Sequence, residues 1–193
     1  MTWVVLGLGN PGDRYVATRH NIGAMVVDLL AGDMGERFKK SRFHPVDVAE
    51  VHLAGQRVLL AKSRAFMNES GPSYASLVTK AKAQPEQVIV VHDEIDLPLG
   101  ALRVKCGGGT AGHNGLKSLQ QSLHTPEFLR VRLGIGRPPG RQEVADYVLE
   151  SFGARERPEV GVLVAEGAEA VRTLIGEGLV AAQDRFNRAG PAD

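Results

Sequence analysis

The chain has 193 residues, 43% of them hydrophobic and 23% charged, with a formal net charge of +1. That length suits one α/β domain with a substantial core, here residues 1–193, and the near-neutral balance gives little global pull toward polyanions while leaving room for a local basic face. No apolar run approaches the ~20 residues that span a bilayer, Met1-Thr2-Trp3-Val4 has no features of a signal peptide, and the lone Cys106 cannot form an internal disulfide. The expected setting is therefore the cytosol.

Taken in chain order, an apolar strand from Trp3 to Leu8 ends in the turn Gly7-Leu8-Gly9-Asn10-Pro11-Gly12. A helix is predicted from about Asn21, because Ile22, Met25, Val26, Leu29 and Leu30 recur on one helical face. Val46–Leu53 and Arg57–Lys62 read as strands joined by a hairpin at Ala54-Gly55-Gln56. A helix from about Ser73 to Ala83 leads to the continuous apolar run Val88–Val91, a buried central strand that ends at Asp93. Ala101–Cys106 is a further strand, followed by the glycine loop 107–115 and a helix from about Leu116 to Leu123. Phe128–Ile135 alternates, with Leu129, Val131 and Leu133 on one face and Arg130 and Arg132 on the other. Beyond a Pro-Gly loop at 137–140, Val160, Leu163, Val164, Val171, Leu174 and Ile175 give a helical stripe. Alternating strands and helices predict an α/β fold: a three-layer α/β/α sandwich around a mixed, mostly parallel, twisted sheet.

Polar residues gather where strands end. Asn10, His20, Asn68, Asp93 and Asn114 all sit at such breaks, and in an open α/β sheet ligands bind outside the carboxyl ends of the strands. A histidine, a carboxylate and three amides form a set for hydrolysis without a metal. Gly7-x-Gly9-x-x-Gly12 matches the dinucleotide fingerprint, but the helical pattern starts only near position 21 and no acidic residue ends a second strand at the required distance. No Gly-Lys-Ser/Thr closes a P-loop, no Gly-x-Ser-x-Gly marks a nucleophile elbow, and His113 and His124 lack partners at metal-ligand spacing. His92 should point away from Asp93, so at most one of the two faces a shared site. Arg103, Lys105, Lys117, Arg130, Arg132, Arg137 and Arg141 form a basic stretch, read as solvated surface unless a phosphate-rich ligand is implicated.

Taken together, five stretches resemble the bacterial peptidyl-tRNA hydrolase family. They are Gly7-Leu-Gly-Asn-Pro-Gly12, Tyr15 with Thr18-Arg-His-Asn-Ile-Gly23, Phe66-Met-Asn68 with Ser70-Gly71, His92-Asp-Glu-Ile-Asp-Leu-Pro98, and Gly107-Gly-Gly109 with Gly112-His-Asn-Gly-Leu-Lys117. Arg132-Leu-Gly-Ile-Gly136 follows in the family's order. Ala111 and Ser63-Arg64-Ala65 depart from the usual pattern, and the carboxyl-terminal helices match only in pattern. The resemblance implies a monomeric enzyme, without cofactor or metal, that hydrolyses the ester between a peptide and the 3′ ribose of tRNA. By position it implies His20 as general base, Asp93 as its partner, and Asn10, Asn68 and Asn114 as holders of substrate and water. Tyr15 and Phe66 would line the cleft, and Lys105 and Arg132 would clamp tRNA phosphate. A non-catalytic RNA-binding protein would need the basic residues but not the His20–Asp93 pair; a dinucleotide-dependent oxidoreductase rests on the glycine fingerprint alone.

Overall fold

A computed structural model describes residues 1–187, so positions 188–193 of the expected domain lie outside the described residues. Its strands are β1 (Thr2–Gly7), β2 (Lys39–Lys40), β3 (Val46–Leu53), β4 (Gln56–Ser63), β5 (Val88–Glu94), β6 (Leu102–Cys106) and β7 (Leu129–Gly134). They form one sheet in the order β2-β3-β4-β1-β5-β7-β6. The four central strands β4, β1, β5 and β7 are mutually parallel, while β3 and β6 run antiparallel to their neighbours at the margins. The sheet is therefore mixed, with a parallel centre. Every residue of β5 is buried, as its unbroken apolar run requires of a strand covered on both faces.

The helices are α1 (Ile22–Asp33), α2 (Ser70–Ala81), α3 (Asn114–Leu123), α4 (Val144–Val148), α5 (Arg157–Glu177) and α6 (Leu179–Phe186). Alternation along the strands sorts two cores. Val5, Val91, Val131 and Leu133 pack with α1 and α5 residues such as Leu30 and Leu174. Val4, Leu6 and Val90 pack with Tyr74 of α2 and Leu119 of α3 on the opposite face. The result is the α/β/α sandwich, and no described helix is long and apolar enough to cross a membrane.

Two helices begin earlier than apolar periodicity predicts. α2 starts at Ser70 rather than Ser73 because a short 3-10 turn, Met67–Glu69, runs directly into it, with Ser70 Oγ donating to Met67 O at 2.8 Å. Pro72 is tolerated there, since a first-turn N–H has no intrahelical partner to lose. α3 starts at Asn114 rather than Leu116 because the His113 imidazole accepts from the N–H groups of Gly115 and Leu116. Asn114 is thus the first helical residue and not a loop residue. The hairpin between β3 and β4 is a two-residue turn with both φ angles positive, 49° at Ala54 and 74° at Gly55, matching the right-handed strand twist.

Close backbone approach sets how deep α1 lies on the sheet. A Cβ on Gly23 would stand 2.1 Å from Val91 O, and one on Gly7 would stand 2.5 Å from Val27 Cγ2. The short 3-10 segment Arg19–Asn21 enters this helix, so the same contact brings His20 to the end of β5. Tyr74 Oη accepts from Ser63 N at 2.9 Å and donates to Gly7 O at 2.8 Å, closing the ends of β4 and β1. Gly23→Ala is expected to lower stability in urea unfolding by about 1–3 kcal/mol through overpacking against fixed backbone. Gly32→Ala, in the same helix with nothing within 4 Å of the added atom, should instead be neutral or stabilising by up to about 1 kcal/mol. Equal unfolding midpoints for the two variants would show that α1 is not held by that approach.

Candidate active site

Asp93 ends the apolar part of β5 and is buried at 3% exposure. Its register partner on β7 is Leu133, so it faces the α1 side, while His92 points the other way. Two imidazoles meet its carboxylate. His20 Nδ1 lies 2.8 Å from Oδ2, and His113 Nε2 lies 2.8 Å from Oδ1. The rings of His20 and His113 are 4.8 Å apart at their centroids.

The hydrogen bonds assign the protons. His113 Nδ1 accepts from two backbone N–H groups at the start of α3, at 3.1 and 3.3 Å, so its proton is on Nε2, which donates to Asp93. Burial pushes Asp93 toward its neutral form, but the charges and hydrogen bonds of His20 and His113 outweigh that and hold its carboxyl below the ordinary range. Facing an ionised carboxylate, His20 Nδ1 must also donate. That leaves Nε2 of His20 as a lone-pair nitrogen, with no protein partner among the described residues. Burial lowers the pKa of His20, yet the charge of Asp93 and its hydrogen bond more than offset this and leave it raised.

The turn bearing His20 is fastened from the far end of the chain. Arg19 N donates to Glu150 O at 3.0 Å, and Phe152 N to Ala17 O at 3.3 Å. The Arg19 guanidinium lies 4.4 Å from the ring centre of Tyr147 and pairs with Glu156 at 2.9 Å. Such a buried, doubly anchored arginine leaves His20 little freedom.

A cavity of about 400 Å³ opens beside this group, lined by His20, Asp93, His113, Asn114, Arg137 and Val148 among others. A separate hollow of about 130 Å³ is lined by Asn10 and Asn21. Asn10 Oδ1 accepts from Met67 N at 2.8 Å, joining the β1 turn to the 66–68 turn, and Asn21 clasps the Asn10 backbone from both sides at 2.9 Å. The amide nitrogen of Asn10 keeps no partner among the described residues. Tyr15 and Phe66 meet edge to face with ring centroids 6.2 Å apart, and Phe66 is 52% exposed. Asn68 and Asn114 are exposed. His20, Asp93 and Asn114 therefore share one cavity, while Asn10 lines a different hollow and ties the β1 turn to the segment carrying Phe66 and Asn68.

Lys105 and Arg132 lie away from this group, on the opposite face of the sheet at the β6–β7 margin. Arg132 Nε contacts Glu94 Oε2 at 3.5 Å, and burial, followed by the charges of Arg130 and Arg132, lowers the pKa of Lys105. Arg130, which alternation places beside them, is not a surface group but fully buried.

His113 is the site residue that sequence reasoning passed over. Sequence spacing offers it only as a metal ligand, whereas its place at the helix start and at the exit of the glycine loop turns it toward the end of β5. Ligand atoms of His20, Asp93 and His113 do lie within 4.8 Å of one another, a spacing that suits a cation. However, the imidazole nitrogens facing Asp93 are both engaged in N–H···O bonds, and a metal would have to displace those protons.

Comparison with known proteins shows the family to which this fold belongs. The family model described as peptidyl-tRNA hydrolase matches residues 4–192. Peptidyl-tRNA hydrolase of Frankia alni is 52% identical over 185 residues, covering 96% of this chain and 93% of that protein. The Nocardia farcinica protein of the same name is 50% identical, covering 95% of each. The crystal structure of peptidyl-tRNA hydrolase from Acinetobacter baumannii superposes with a TM-score of 0.91 at 31% identity, covering 99% of this chain and 97% of that one. The chain belongs to the peptidyl-tRNA hydrolase family, a family of enzymes.

Proposed function

We propose that this protein hydrolyses the ester joining a peptide to the 3′ ribose of tRNA, using water activated by His20. The observation that carries the reading is His20 itself: Nδ1 is held by buried Asp93, and Nε2 has no partner among the described residues on a side chain that lines the cavity. Water attacks the ester carbonyl while Nε2 takes its proton, forming an imidazolium that the Asp93 carboxylate stabilises. The tetrahedral intermediate collapses, the imidazolium returns the proton to the ribose oxygen, and free tRNA and peptide leave. The amides of Asn10, Asn68 and Asn114 suit the peptide main chain and the oxyanion because they donate and accept without adding charge. His113 serves Asp93, donating to the oxygen that His20 does not use. Lys105 and Arg132 hold tRNA phosphate, and Tyr15 and Phe66 form an apolar wall for the acyl chain.

His20→Ala should lower turnover of N-blocked aminoacyl-tRNA by ~10²–10⁴ while tRNA affinity persists. Near-native turnover would end the general-base role. With Asp93 intact, activity should rise with pH as His20 loses its proton, at a pH above the ordinary histidine value because the net effect of its surroundings is to raise that pKa. Asp93→Asn removes the anion, so the rise should move to lower pH as the maximal rate falls. An unmoved profile at full activity argues against the pair.

Asn10→Ala should narrow the activity gap between N-blocked and free-amine aminoacyl-tRNA, since the unpartnered amide nitrogen is free to read the first peptide unit. A constant ratio would leave Asn10 as a structural clasp for Met67.

Lys105→Ala/Arg132→Ala should raise KM for peptidyl-tRNA much more than for a peptidyl-nucleoside lacking phosphates, and should flatten the salt dependence. Equal damage to both substrates would assign these residues to the fold.

A further inference from the structure

Arg130 heads the fully buried side chains by size, at 1% exposure. Among the described residues, its bonds all go to groups that carry no negative charge. Nε donates to His92 Nε2 at 3.1 Å, and Nη1 donates to the carbonyls of Gly107 and Gly109 at 3.3 and 2.8 Å. His92 can accept only as a neutral ring, and burial, then the charges of Arg130 and His113, keep its pKa well below the ordinary value. Glu94, the anion acting on Arg130, is spent on Arg132. A neutral donor would serve two carbonyls and an imidazole. What arginine adds is a charge, and a buried charge without a counter-ion is costly.

The neighbours deepen that cost. Lys105 stands directly across from Arg130 in the β6–β7 register, and Arg132 follows two residues on, so all three share one face. A Cβ on Gly108 would lie 2.5 Å from Lys105 Nζ and 3.5 Å from Arg130 Nη1, so both cations close in beneath the glycine loop. Burial, then Arg132, brings the guanidinium pKa down to about 10 against the opposing pull of Glu94. Among the described residues, Glu94 is the carboxylate whose charge acts on both Lys105 and Arg130, and Arg132 already pairs with it.

We propose that Arg130 is a third, buried cation of the phosphate site, whose counter-ion is the tRNA phosphate held at Lys105 and Arg132, and that it fixes the glycine loop over that site. The inference rests on the phosphate-clamp reading of Lys105 and Arg132. Bound phosphate neutralises the crowded cations together, so Arg130 strengthens binding without touching the ligand. Its bonds to Gly107 and Gly109 hold the loop that continues to His113 and Asn114.

The test is the affinity of full-length protein for uncharged tRNA, titrated across chloride concentrations. Arg130→Gln keeps an amide donor for the loop but removes the charge, and should weaken binding about tenfold at low salt and reduce the log–log salt slope by about 1. Arg130→Lys keeps the charge with poorer loop geometry, and should hold the wild-type slope. In hydrolysis, Arg130→Gln should lose more kcat/KM on peptidyl-tRNA than on a phosphate-free peptidyl-nucleoside. A wild-type slope in Arg130→Gln, alongside a reduced slope in Lys105→Ala/Arg132→Ala, would overturn the proposal and leave Arg130 a loop anchor. An unchanged slope in that double variant would instead sink the clamp reading itself. If Arg130→Gln fails to fold, Arg130→Lys decides: a slope reduced as in the double variant would show that the charge is not what the position supplies.

Discussion

The buried carboxylate of Asp93 is the constraint around which the site is arranged. An ionised group at 3% exposure is tenable only when both oxygens have donors. It obtains them from two places, the 3-10 segment Arg19–Asn21 before α1 and the capping residue of α3. One side chain thus binds the end of a central strand to the starts of helices on both faces of the sheet. Losing either imidazole would leave one carboxylate oxygen without its donor, a change that typically costs about 1–3 kcal/mol. The same two bonds decide the tautomers, so stability and protonation state come from one arrangement.

That arrangement requires the helix layers to lie close. His20 reaches Asp93 because α1 rests against β1 and β5 with no side chain between them at Gly7 and Gly23. On the other face, a Cβ on Gly71 would stand 2.0 Å from Ser118 O, so α2 and α3 are pressed together in the same way. Ser118 Oγ accepts from Gly71 N at 2.9 Å within that contact. Glycine at these positions is a requirement of backbone proximity rather than of turn conformation, since neither Gly23 nor Gly71 has a positive φ. The glycines just after the strands serve the other purpose: Gly107 and Gly108 have φ of 69° and 98° and let the loop fold back over Lys105 and Arg130.

Periodicity revealed most of the architecture, because buried strands and amphipathic helices leave period-2, unbroken or period-3.6 apolar patterns. The limits of α2 and α3 escaped it for a physical reason. Their first turns are polar or small and are held by side-chain capping and by the 3-10 turn Met67–Glu69, none of which has an apolar period. His20, Asp93 and Asn114 were legible as polar breaks at strand ends. His113 was not, because capping α3 and donating to Asp93 together depend on a loop path that spacing does not encode. The burial of Arg130 was equally hidden: alternation put it on a face with Arg132, and only the fold of residues 107–109 over that face takes it out of water.

The two halves of the site are linked by the pleat of one strand. In β5, Asp93 turns toward α1 and His20, while His92 and Glu94 turn toward Arg130 and Arg132. His92 Nδ1 donates to Asp93 O at 2.7 Å, and its ring meets that of His113 edge to face, with centroids 5.4 Å apart. Consecutive residues therefore place a negative charge against His20 and His113 and neutral or paired groups where cations gather. The electrostatic logic differs on the two sides. Asp93 is saturated by donors within the protein, which suits a group that must keep its charge throughout a reaction cycle. Arg130 has no anion bonded to it among the described residues, the imbalance on which its proposed pairing with substrate phosphate rests. A strand running between them keeps the anion from neutralising the cations, because successive side chains of a β-strand point to opposite faces.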